Sequence, residues 1–435
     1  MRNVSCSVAV FGGGPAGIAA GVTASRAGLS TVVIDEGIAP GGQIWRGSTA
    51  RSGGQAGRWL TALEQSPLEM WSRTRVVTHS EPGTVILESP SGPMCLHYKN
   101  AVVCPGAREL FLPFPGWTLP GVSGAGGLQA LVKGGLPIAG RRVVVAGSGP
   151  LLLAVAATLE KLGAKIVLLA EQTEFANLRG FAAGLWRHPG KALQALTLAR
   201  QAWRLQAGSW VMRAEGDNKL ERVVMHQHGR TETVACDYLA CGFGLVPNTE
   251  LPAMLGCRIV ADRVEVDDWL RTSQTNIFCA GEVIGIGGVD AAIIEGRMAG
   301  HMVANQQPEA AKLRPARAAS RAFAALSDRC FALRPELKTL ATPDVMLCRC
   351  EDVSVGDVAA CYSWREARLL TRCGMGPCQG RLCGLTVTEL IADTRGVTPE
   401  EVGYYRLRPP VKPVPLSEIA GLERSNAAVK AVVRS

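Results

Sequence analysis

The chain has 435 residues, of which 47% are hydrophobic and 19% charged, with 50 glycines and a net charge of +9. This length exceeds that of one ordinary domain, so we expect two or three domains with substantial cores. No apolar run reaches the roughly 20 residues that a membrane-spanning helix needs, which excludes that class. The apolar run near the N-terminus enters a glycine loop without a small-residue cleavage site, so we expect no signal peptide and a cytoplasmic location.

The positive charge is concentrated between residues 312 and 338. This segment has almost no acidic residues and carries Lys312, Arg314, Arg317, Arg321, Arg329, Arg334 and Lys338. Aromatic residues at the spacing that base stacking needs are absent from it, so we expect no nucleic-acid partner. A solvated helical face, or a surface that docks on an acidic partner, fits the segment better.

Residues 5–35 have the order of a dinucleotide-binding unit. A short buried strand (8–11) enters a glycine loop, a helix of small residues follows (18–27), and a second strand (31–34) comes next. The loop reads Gly12, Gly13, Gly14, Pro15, Ala16 and Gly17. The glycines at its first, third and sixth positions permit a tight turn, a close approach to pyrophosphate and tight helix packing. The helix N-terminus adds partial positive charge. The alternative is a purely structural glycine turn.

Two acidic residues, Asp35 and Glu36, follow the second strand. A carboxylate about 20 residues after the loop can accept hydrogen bonds from ribose hydroxyls. The strand register favours Asp35 over Glu36 for this role.

Three later turns are candidates for further contacts with a bound dinucleotide. Gly42 and Gln43 lie in a glycine pair against which a ring system can rest, although a plain turn is equally consistent. Gly106 ends a strand predicted over residues 100–106. Gly281 and Glu282 follow a strand predicted over 277–280 and precede a helix from about residue 291, where a helix N-terminus can face a phosphate or a flavin edge. Glu282 is either a ligand of a ribityl hydroxyl or a surface acid.

A second glycine loop lies within residues 141–171. A strand (143–146), the turn Gly147-Ser148-Gly149-Pro150, a helix (151–162) and a strand (165–169) repeat the first unit. Leu152 occupies the third glycine position, and the expected register puts Ala170 in the place of the ribose acid, with Glu171 one residue late. Binding of NAD(P), binding of another adenine nucleotide, and an inherited scaffold all stay open.

Six of the 14 cysteines fall between residues 348 and 383, namely Cys348, Cys350, Cys361, Cys373, Cys378 and Cys383. Soft thiolates gathered this densely favour an iron–sulfur cluster, zinc or copper(I). Glycines at 374, 376 and 380 leave backbone N–H groups free to point at sulfur. Ser354 and Asp357 predict a capping box for a short intervening helix. The spacing alone does not decide between the metals or between the cysteine pairs.

The order of the glycine turns resembles that of flavoprotein disulfide reductases of the thioredoxin-reductase type. It runs through Gly12–Gly17, Gly42-Gln43, Gly106, Gly147–Pro150, Pro247-Asn248 and Gly281-Glu282. The redox Cys-x-x-Cys pair of those enzymes is missing, so the chain does not resemble them in activity.

The cysteine region resembles the [2Fe-2S] domain of bacterioferritin-associated ferredoxin. Cys348-x-Cys350 and residues 371–383 carry this resemblance, and the same domain ends the α subunits of opine dehydrogenases, D-hydroxyproline dehydrogenases and hydrogen-cyanide synthase. The resemblance implies Cys348, Cys350, Cys378 and Cys383 as cluster ligands and leaves Cys373 as a neighbour. The segment between the cysteine pairs is a few residues shorter than in that family.

The resemblance implies an α/β fold with two Rossmann-like dinucleotide-binding domains, one inserted in the other, plus a small helical C-terminal [2Fe-2S] domain. The FAD-binding domain is predicted at 1–115 and 249–307, and the inserted domain at 116–248. A basic helical linker (308–343), the cluster domain (344–400) and an extended tail (401–435) follow.

The resemblance also implies an oxidoreductase, the α subunit of an amine dehydrogenase complex. In such complexes a β subunit similar to amino-acid oxidases oxidises a secondary amine or imino acid, such as an opine or D-hydroxyproline. The α subunit passes electrons through FAD and the [2Fe-2S] cluster to an acceptor. An FMN at a subunit interface and a small third subunit belong to the same expectation, as does contact with the inner membrane through the complex.

Two alternatives stay open. One is a self-sufficient NAD(P)H-oxidising reductase that uses both nucleotide domains, against which the altered second loop argues. The other is a regulatory or assembly subunit whose cluster is structural. The six histidines are scattered, and no catalytic base with supporting residues is recognisable, which suits an electron relay.

Overall fold

The computed structural model describes residues 2–227, 229–405 and 407–416. The chain forms two compact units, the first from the described parts of 1–107, 247–318 and 407–435, the second from those of 108–246 and 319–406. Each unit contains a parallel sheet with helices packed on it, which confirms the predicted α/β class with two Rossmann-like sheets. The finer boundaries at residues 115, 248, 343 and 400 stay predictions.

The strands in chain order are β1 (Arg2–Phe11), β2 (Thr31–Ile34), β3 (Glu69–Trp71), β4 (Arg75–Glu81), β5 (Thr84–Glu88), β6 (Met94–Val103), β7 (Ala107–Glu109), β8 (Val122–Gly124), β9 (Arg142–Gly147), β10 (Lys165–Glu171), β11 (Leu205–Ala207), β12 (Ser209–Glu215), β13 (Arg222–Gln227), β14 (Arg230–Ala235), β15 (Tyr238–Gly242), β16 (Leu245–Pro247), β17 (Ile259–Val260), β18 (Arg263–Val264), β19 (Ile277–Cys279), β20 (Met346–Cys348) and β21 (Val353–Ser354).

The helices are α1 (Pro15–Arg26), α2 (Gly54–Glu64), α3 (Ala125–Lys133), α4 (Leu151–Lys161), α5 (Phe175–Gly184), α6 (Pro189–Leu196), α7 (Ala199–Trp203), α8 (Glu250–Met254), α9 (Gly288–Val303), α10 (Gln307–Ala311), α11 (Arg314–Cys330), α12 (Pro335–Lys338), α13 (Val355–Ala359), α14 (Trp364–Thr371), α15 (Gly384–Arg395) and α16 (Pro399–Val402). Short 3₁₀ turns lie at Leu185–Arg187 and Glu282–Ile284.

The sheet of the first unit has the strand order β3-β2-β1-β6-β5-β4, and β19 also pairs with β6. Strands β1, β2, β3, β6 and β19 are parallel, whereas β4 and β5 add an antiparallel extension. The register of β1 on β2 runs from Val8 opposite Thr31 to Phe11 opposite Ile34. The last residues of β1 are apolar and buried, as expected for a parallel strand that is covered on both faces. The strand ends where the glycine loop begins.

Helices α1 and α9 pack against each other through small residues. A Cβ atom added to Gly296 would lie 2.1 Å from the carbonyl oxygen of Ala16, and one added to Gly300 would lie 2.7 Å from that of Ala20. The two backbones therefore approach more closely than side chains would allow. This contact holds the loop after β19 next to the first glycine loop.

The second unit is built around the parallel strand order β11-β10-β9-β15-β8. A three-stranded antiparallel sheet, β12-β13-β14, accompanies it, and the sequence patterns did not predict this sheet. The region after residue 345 is a β20–β21 hairpin followed by the short helices α13, α14 and α15, which confirms a helical C-terminal region with clustered cysteines. Ser354 and Asp357 form the predicted capping box of α13.

The end of the chain departs slightly from the predicted extended tail. Helix α16 includes residues 401 and 402, while residues 403–405 and 407–415 belong to neither helix nor strand. Residues 417–435 of the predicted tail lie outside the described part of the chain. Within the described ranges, no helix combines the length and the apolar character needed to cross a bilayer.

The ion pair between Glu295 and Arg317 yields a stability prediction. The Glu295 side chain is 0% exposed and lies 3.3 Å from the Arg317 guanidinium, which is 19% exposed. Replacing Arg317 by alanine removes a charged partner of a buried carboxylate, and breaking a buried ion pair typically costs about 3–5 kcal/mol. We expect a clear fall in the thermal midpoint, measured by circular dichroism.

Arg258→Ala is the matched control. The ion pair of Arg258 with Glu265 is exposed on both sides, and such pairs contribute roughly 0–1 kcal/mol. Equal thermal midpoints for the two variants would show that the buried pair contributes no more than a surface pair.

Candidate functional site

The first glycine loop is shaped by backbone contacts that exclude side chains. Gly12 has φ +110°, and a Cβ atom there would lie 2.1 Å from the carbonyl oxygen of Cys104. A Cβ atom at Gly17 would lie 1.8 Å from the carbonyl oxygen of Gly12. Gly14 has open space for 4 Å around its Cβ position, just before the N-terminus of α1. The loop therefore leaves room where a pyrophosphate would approach the backbone.

Asp35 lies at the end of β2 and faces the glycine loop. Its carboxylate accepts hydrogen bonds from the backbone N–H groups of Gly13 (2.5 Å) and Gly37 (2.7 Å). The Glu36 side chain instead pairs with Lys412 within the first unit. Of the two acidic residues, Asp35 is the one at the loop, where the register places it.

Gly42 lies directly against the loop. A Cβ atom on Gly42 would be 3.0 Å from the Cα atom of Gly14, and the N–H of Gly41 donates to the carbonyl oxygen of Gly13 at 2.8 Å. The Gln43 side chain accepts a hydrogen bond from exposed Arg46. Gly42 is thus brought to the predicted site, while the Gln43 side chain is directed to a neighbour on its own turn.

The turn after β19 reaches the same place from another part of the chain. A Cβ atom on Gly281, which has φ +82°, would lie 2.9 Å from the Ala16 side chain. The carboxylate of Glu282 accepts from the N–H groups of residues 287 and 288, so it closes its own loop. The carbonyl oxygen of Gly106 accepts a hydrogen bond from the N–H of Asn248. Gly281 therefore joins the Gly12–Gly17 loop, whereas Glu282 stabilises its own turn and Gly106 is bonded to Asn248.

The second glycine loop corrects one inference from the sequence. The expectation that Ala170 holds the place of the ribose acid is wrong, because β10 is irregular between Ile166 and Leu168, which shifts the register by one residue. Glu171 therefore lies opposite Gly147. It accepts from the N–H groups of Gly149 (2.7 Å) and Thr173 (3.0 Å), much as Asp35 accepts from Gly13 and Gly37 in the first unit. Burial raises the pKa of Glu171.

The replacement of the third glycine by Leu152 is matched by a change across the sheet. Leu152 is fully buried, and a Cβ atom on Gly242 would lie 2.8 Å from its Cδ2 atom. The first glycine of each loop faces the carbonyl oxygen of an equivalent strand-end residue, Cys104 in one unit and Gly242 in the other. The large residue on α4 is therefore accommodated by a missing side chain on β15.

The residues beside the second loop are covered by the segment Phe331–Arg334 of the same unit. Ser148 donates through its hydroxyl to the carbonyl oxygen of Phe331, and the Gln172 amide donates to that of Ala332. The N–H and guanidinium groups of Arg334 donate to the side-chain and backbone oxygens of Gln172. This segment occupies the space beside the ends of β9 and β10.

Three of the C-terminal cysteines form a buried trio. The Sγ atoms of Cys348, Cys373 and Cys383 lie within 4.8 Å of one another. Hydrogen bonds from the Cys373 and Cys383 thiols lower the pKa of Cys348 to about 2, and the pKa values of Cys373 and Cys383 are raised for the same reason. The backbone N–H of Gly374 also points at the Cys348 sulfur, at 3.4 Å. This geometry favours one thiolate stabilised by its neighbours.

Cys350 and Cys378 form a second pair of thiols. Burial raises the pKa of Cys350, and the Cys378 thiol and backbone contact its sulfur. Cys350 is exposed and Cys378 is half-buried. The predicted ligands are therefore divided between the pair and the trio. Cys373, which the resemblance leaves as a neighbour, lies beside Cys348 and Cys383. The ligand assignment stays a prediction, with Cys373 as its rival.

The loop that carries the later cysteines is tightly enclosed. A Cβ atom on Gly376 would lie 2.4 Å from that of Cys350, and one on Gly384 would lie 2.4 Å from the hydroxyl of Tyr404. Helix α15 begins at Gly384, directly after Cys383, so the positive end of its dipole lies at that residue. Such a site suits soft metals held by thiolates.

Sequence reasoning missed the side chains that fix this loop. The Arg108 guanidinium donates to the carbonyl oxygen of Arg381 at 2.9 Å and to the Tyr404 hydroxyl at 3.1 Å. Tyr405 packs against Gly380, and its ring lies 5.2 Å from that of Trp364. The adjacent pair Tyr404 and Tyr405 is visible in the sequence. Their partners Arg108 and Trp364 lie far away along the chain, so the sequence alone does not reveal these contacts.

Two family models match the chain. Residues 6–307 match the model described as pyridine nucleotide-disulphide oxidoreductase. Residues 347–422 match the sarcosine oxidase A3 domain. The order of the two matches follows the order of the glycine-loop units and the cysteine region.

Two curated relatives are similar over nearly their full lengths. An opine oxidase subunit of Rhizobium meliloti (strain 1021) is 34% identical, over 95% of this chain and 98% of the relative. The hydrogen cyanide synthase subunit HcnB of Pseudomonas aeruginosa is 30% identical, again over 95% and 98%.

Solved structures agree with this fold. L-proline dehydrogenase from P. horikoshii has a TM-score of 0.73 at 20% identity, covering 96% of this chain and 80% of that one. Thioredoxin reductase from T. acidophilum has a TM-score of 0.54 at 19% identity and covers 70% of this chain and 99% of that one. With the glycine loop, the thiol-rich region and the near-complete matches together, the chain belongs to the family of these opine oxidase and hydrogen cyanide synthase subunits, a family of flavoprotein oxidoreductase subunits.

Proposed function

We propose that this chain is the electron-transfer subunit of a multi-subunit amine dehydrogenase. The observation that carries the proposal is that one chain joins a glycine-loop dinucleotide unit to a buried thiol trio and a second thiol pair. The curated relatives are named as subunits of an opine oxidase and a hydrogen cyanide synthase, which supports the assignment to a complex. An amino-acid-oxidase-like partner oxidises the amine, and this chain passes the electrons on.

The first unit fits FAD. Open space at Gly14 leaves room for a pyrophosphate, the α1 N-terminus supplies partial positive charge, and Asp35 stands at the ribose position. Gly42 and Gly281 border the loop without side chains, so an isoalloxazine and its ribityl chain can approach the backbone. The proposed FAD site also includes Pro15, Ala16, Glu36, Gln43, Gly106 and Glu282.

The cysteine region fits a [2Fe-2S] cluster. Four thiolates are needed, and Cys348, Cys350, Cys378 and Cys383 are proposed to supply them. When bound, FAD supplies two-electron transfer and the cluster one-electron transfer. The residues of this chain hold these groups, keep the binding space free of side chains and orient backbone N–H groups toward sulfur. An FMN at a subunit interface and a small third subunit belong to the same proposal.

Replacing Gly14 by leucine tests the flavin site. The side chain would enter the open space before α1, so we expect the purified variant to lose its flavin absorbance while keeping its far-ultraviolet circular dichroism. Gly53→Leu is the matched control, because Gly53 has φ −69° and also has open space around its Cβ position. A Gly14→Leu protein with the flavin content of the control would overturn the assignment.

Single Cys→Ser variants at residues 348, 350, 373, 378 and 383 test the cluster. We expect Cys373→Ser, purified without oxygen, to keep about two irons per chain and its reduced paramagnetic resonance signal. The other four variants should lose or distort that signal. Loss in Cys373→Ser with retention in Cys378→Ser would instead assign the buried trio as ligands. Zinc in place of iron in the unaltered chain would rule out an electron relay.

The self-sufficient NAD(P)H reductase is a second candidate, and one observation favours it. Glu171 stands at the second loop where Asp35 stands at the first, so the acid is present after all. An adenine nucleotide at the second loop therefore belongs among the proposed ligands. The Phe331–Arg334 segment, however, fills the space adjacent to the second loop.

Reduction of the flavin distinguishes the two candidates. We expect NADH and NADPH to leave the flavin of the isolated chain oxidised, because the space beside the second loop is occupied. The measurement is anaerobic absorbance at the flavin band, with ATP and ADP titrated separately by calorimetry. Micromolar binding of NADH together with rapid bleaching would favour the reductase.

A further inference from the structure

A helical excursion between β10 and β11 stands apart from the core of the second unit. We define it as residues 174–204, which contain α5, a 3₁₀ turn, α6 and α7. From residue 174 to residue 200 no side chain is buried, although the segment is rich in Leu, Phe and Trp. A helix on a folded core normally buries its apolar stripe, so this excursion has too little of its own unit to pack against.

One side of the excursion is held by the C-terminal half of α11. The Phe181 ring lies 6.0 Å from that of Phe323 and 4.8 Å from that of Phe331. A Cβ atom on Gly184 would lie 2.5 Å from the Leu326 side chain. The excursion is therefore anchored along this side and has a defined surface elsewhere.

Five of its large apolar side chains face solvent instead. Trp203 is 90% exposed and Trp186 is 73% exposed, and Phe175, Leu193 and Leu196 are each exposed by about two thirds. Leu193 and Leu196 are three residues apart and share one side of α6. Large apolar side chains gathered in one segment mark a surface that another molecule covers.

The excursion carries positive charge and no acidic residue from 175 to 204. Arg179, Arg187 and Arg200 are exposed, while Arg204 pairs with Glu160 of α4. Arginine and tryptophan together are the residues most enriched at the energetic centres of protein interfaces. A complementary surface therefore combines apolar side chains with acidic ones.

A cleft of about 440 Å³ lies beside this surface. It is lined by the end of α5, the 3₁₀ turn and α11, and its lining includes Trp186, Arg187, His188, Leu326 and Arg329. A cleft of this kind can receive an apolar side chain of a docked chain.

We propose that the helical excursion is the docking surface for another protein subunit of the complex, one that presents apolar side chains rimmed by carboxylates. The proposal rests on the proposed function, which supplies the partner. A second copy of this chain fits poorly, since a symmetric contact would bring arginine opposite arginine. A bilayer also fits poorly, because helices of 10, 8 and 5 residues separated by turns give no continuous apolar face.

The test uses the complex purified through a tag on this chain from its own host. The double variant Trp186→Ala/Trp203→Ala removes two exposed rings whose loss should leave the core intact. Leu131→Ala/Leu162→Ala is the matched control, since both leucines are exposed in the same unit but outside the excursion. We expect the tryptophan variant to bind its partner at least about tenfold more weakly in a size-exclusion titration, because truncation of hot-spot residues weakens binding by at least that factor. The control variant should assemble normally.

A charge variant provides a second readout. Arg179→Glu/Arg187→Glu/Arg200→Glu should slow association and remove its dependence on ionic strength, because the rim steers an acidic partner. Unchanged assembly of both variants would overturn the docking surface while leaving the proposed function in place. An unaltered chain that carries flavin and iron but no stoichiometric partner would overturn the proposed function itself.

Two further measurements test whether a second copy of this chain or a membrane covers the surface instead. Tryptophan-dependent dimers of the isolated chain in analytical ultracentrifugation would assign the surface to a second copy. Tryptophan-dependent sedimentation with phosphatidylglycerol vesicles would assign it to a membrane. Either result would overturn the proposal. We expect instead that the isolated chain neither dimerises through this surface nor binds vesicles through it.

Discussion

The first unit depends on one constraint, the direct contact of backbone with backbone around α1. Its N-terminal turn touches the carbonyl oxygen of Gly12, the first glycine touches that of Cys104, and α9 touches α1 at Gly296. At each of these places a Cβ atom would overlap a carbonyl oxygen, so the fold requires glycine. The same contacts place Asp35, Gly42 and the turn after β19 around one open space. The site follows from the packing.

The thiol region obeys a similar rule with different chemistry. Gly376 lies on Cys350, Gly384 lies on Tyr404, and Gly374 directs its N–H toward a sulfur atom. Enclosure raises the free energy of any thiolate, whereas the N–H donor and the start of α15 lower it again. The balance favours the thiolate form of Cys348, and thiolate is the form that binds a soft cation.

The sequence could predict what is encoded locally. The strand, loop, helix and strand of residues 5–35 are close neighbours along the chain, so the order and positions of Gly12, Gly14, Gly17 and Asp35 are readable from it. The capping box at Ser354 is predictable for the same reason. The parallel sheets follow from repeated short apolar runs, each ending in a glycine turn.

What escaped prediction depends on contacts between distant residues. The irregularity in β10 that places Glu171 at the second loop is set by pairing with β9, and periodicity along one strand does not reveal it. Cys373 joins Cys348 only because a hairpin and two helices fold the intervening residues back. The β12-β13-β14 sheet is likewise defined by its cross-strand partners.

The contact between Leu152 and Gly242 has a consequence for how the second loop tolerates substitution. A side chain at residue 242 would overlap Leu152, because a Cβ atom there would lie 2.8 Å from its Cδ2 atom. A glycine at both positions would leave a void, and voids of leucine size cost about 2–5 kcal/mol. Leucine at 152 and glycine at 242 therefore fit only together. The leucine in the third glycine position is part of a packed core, and it does not by itself indicate a defect in the fold that carries it.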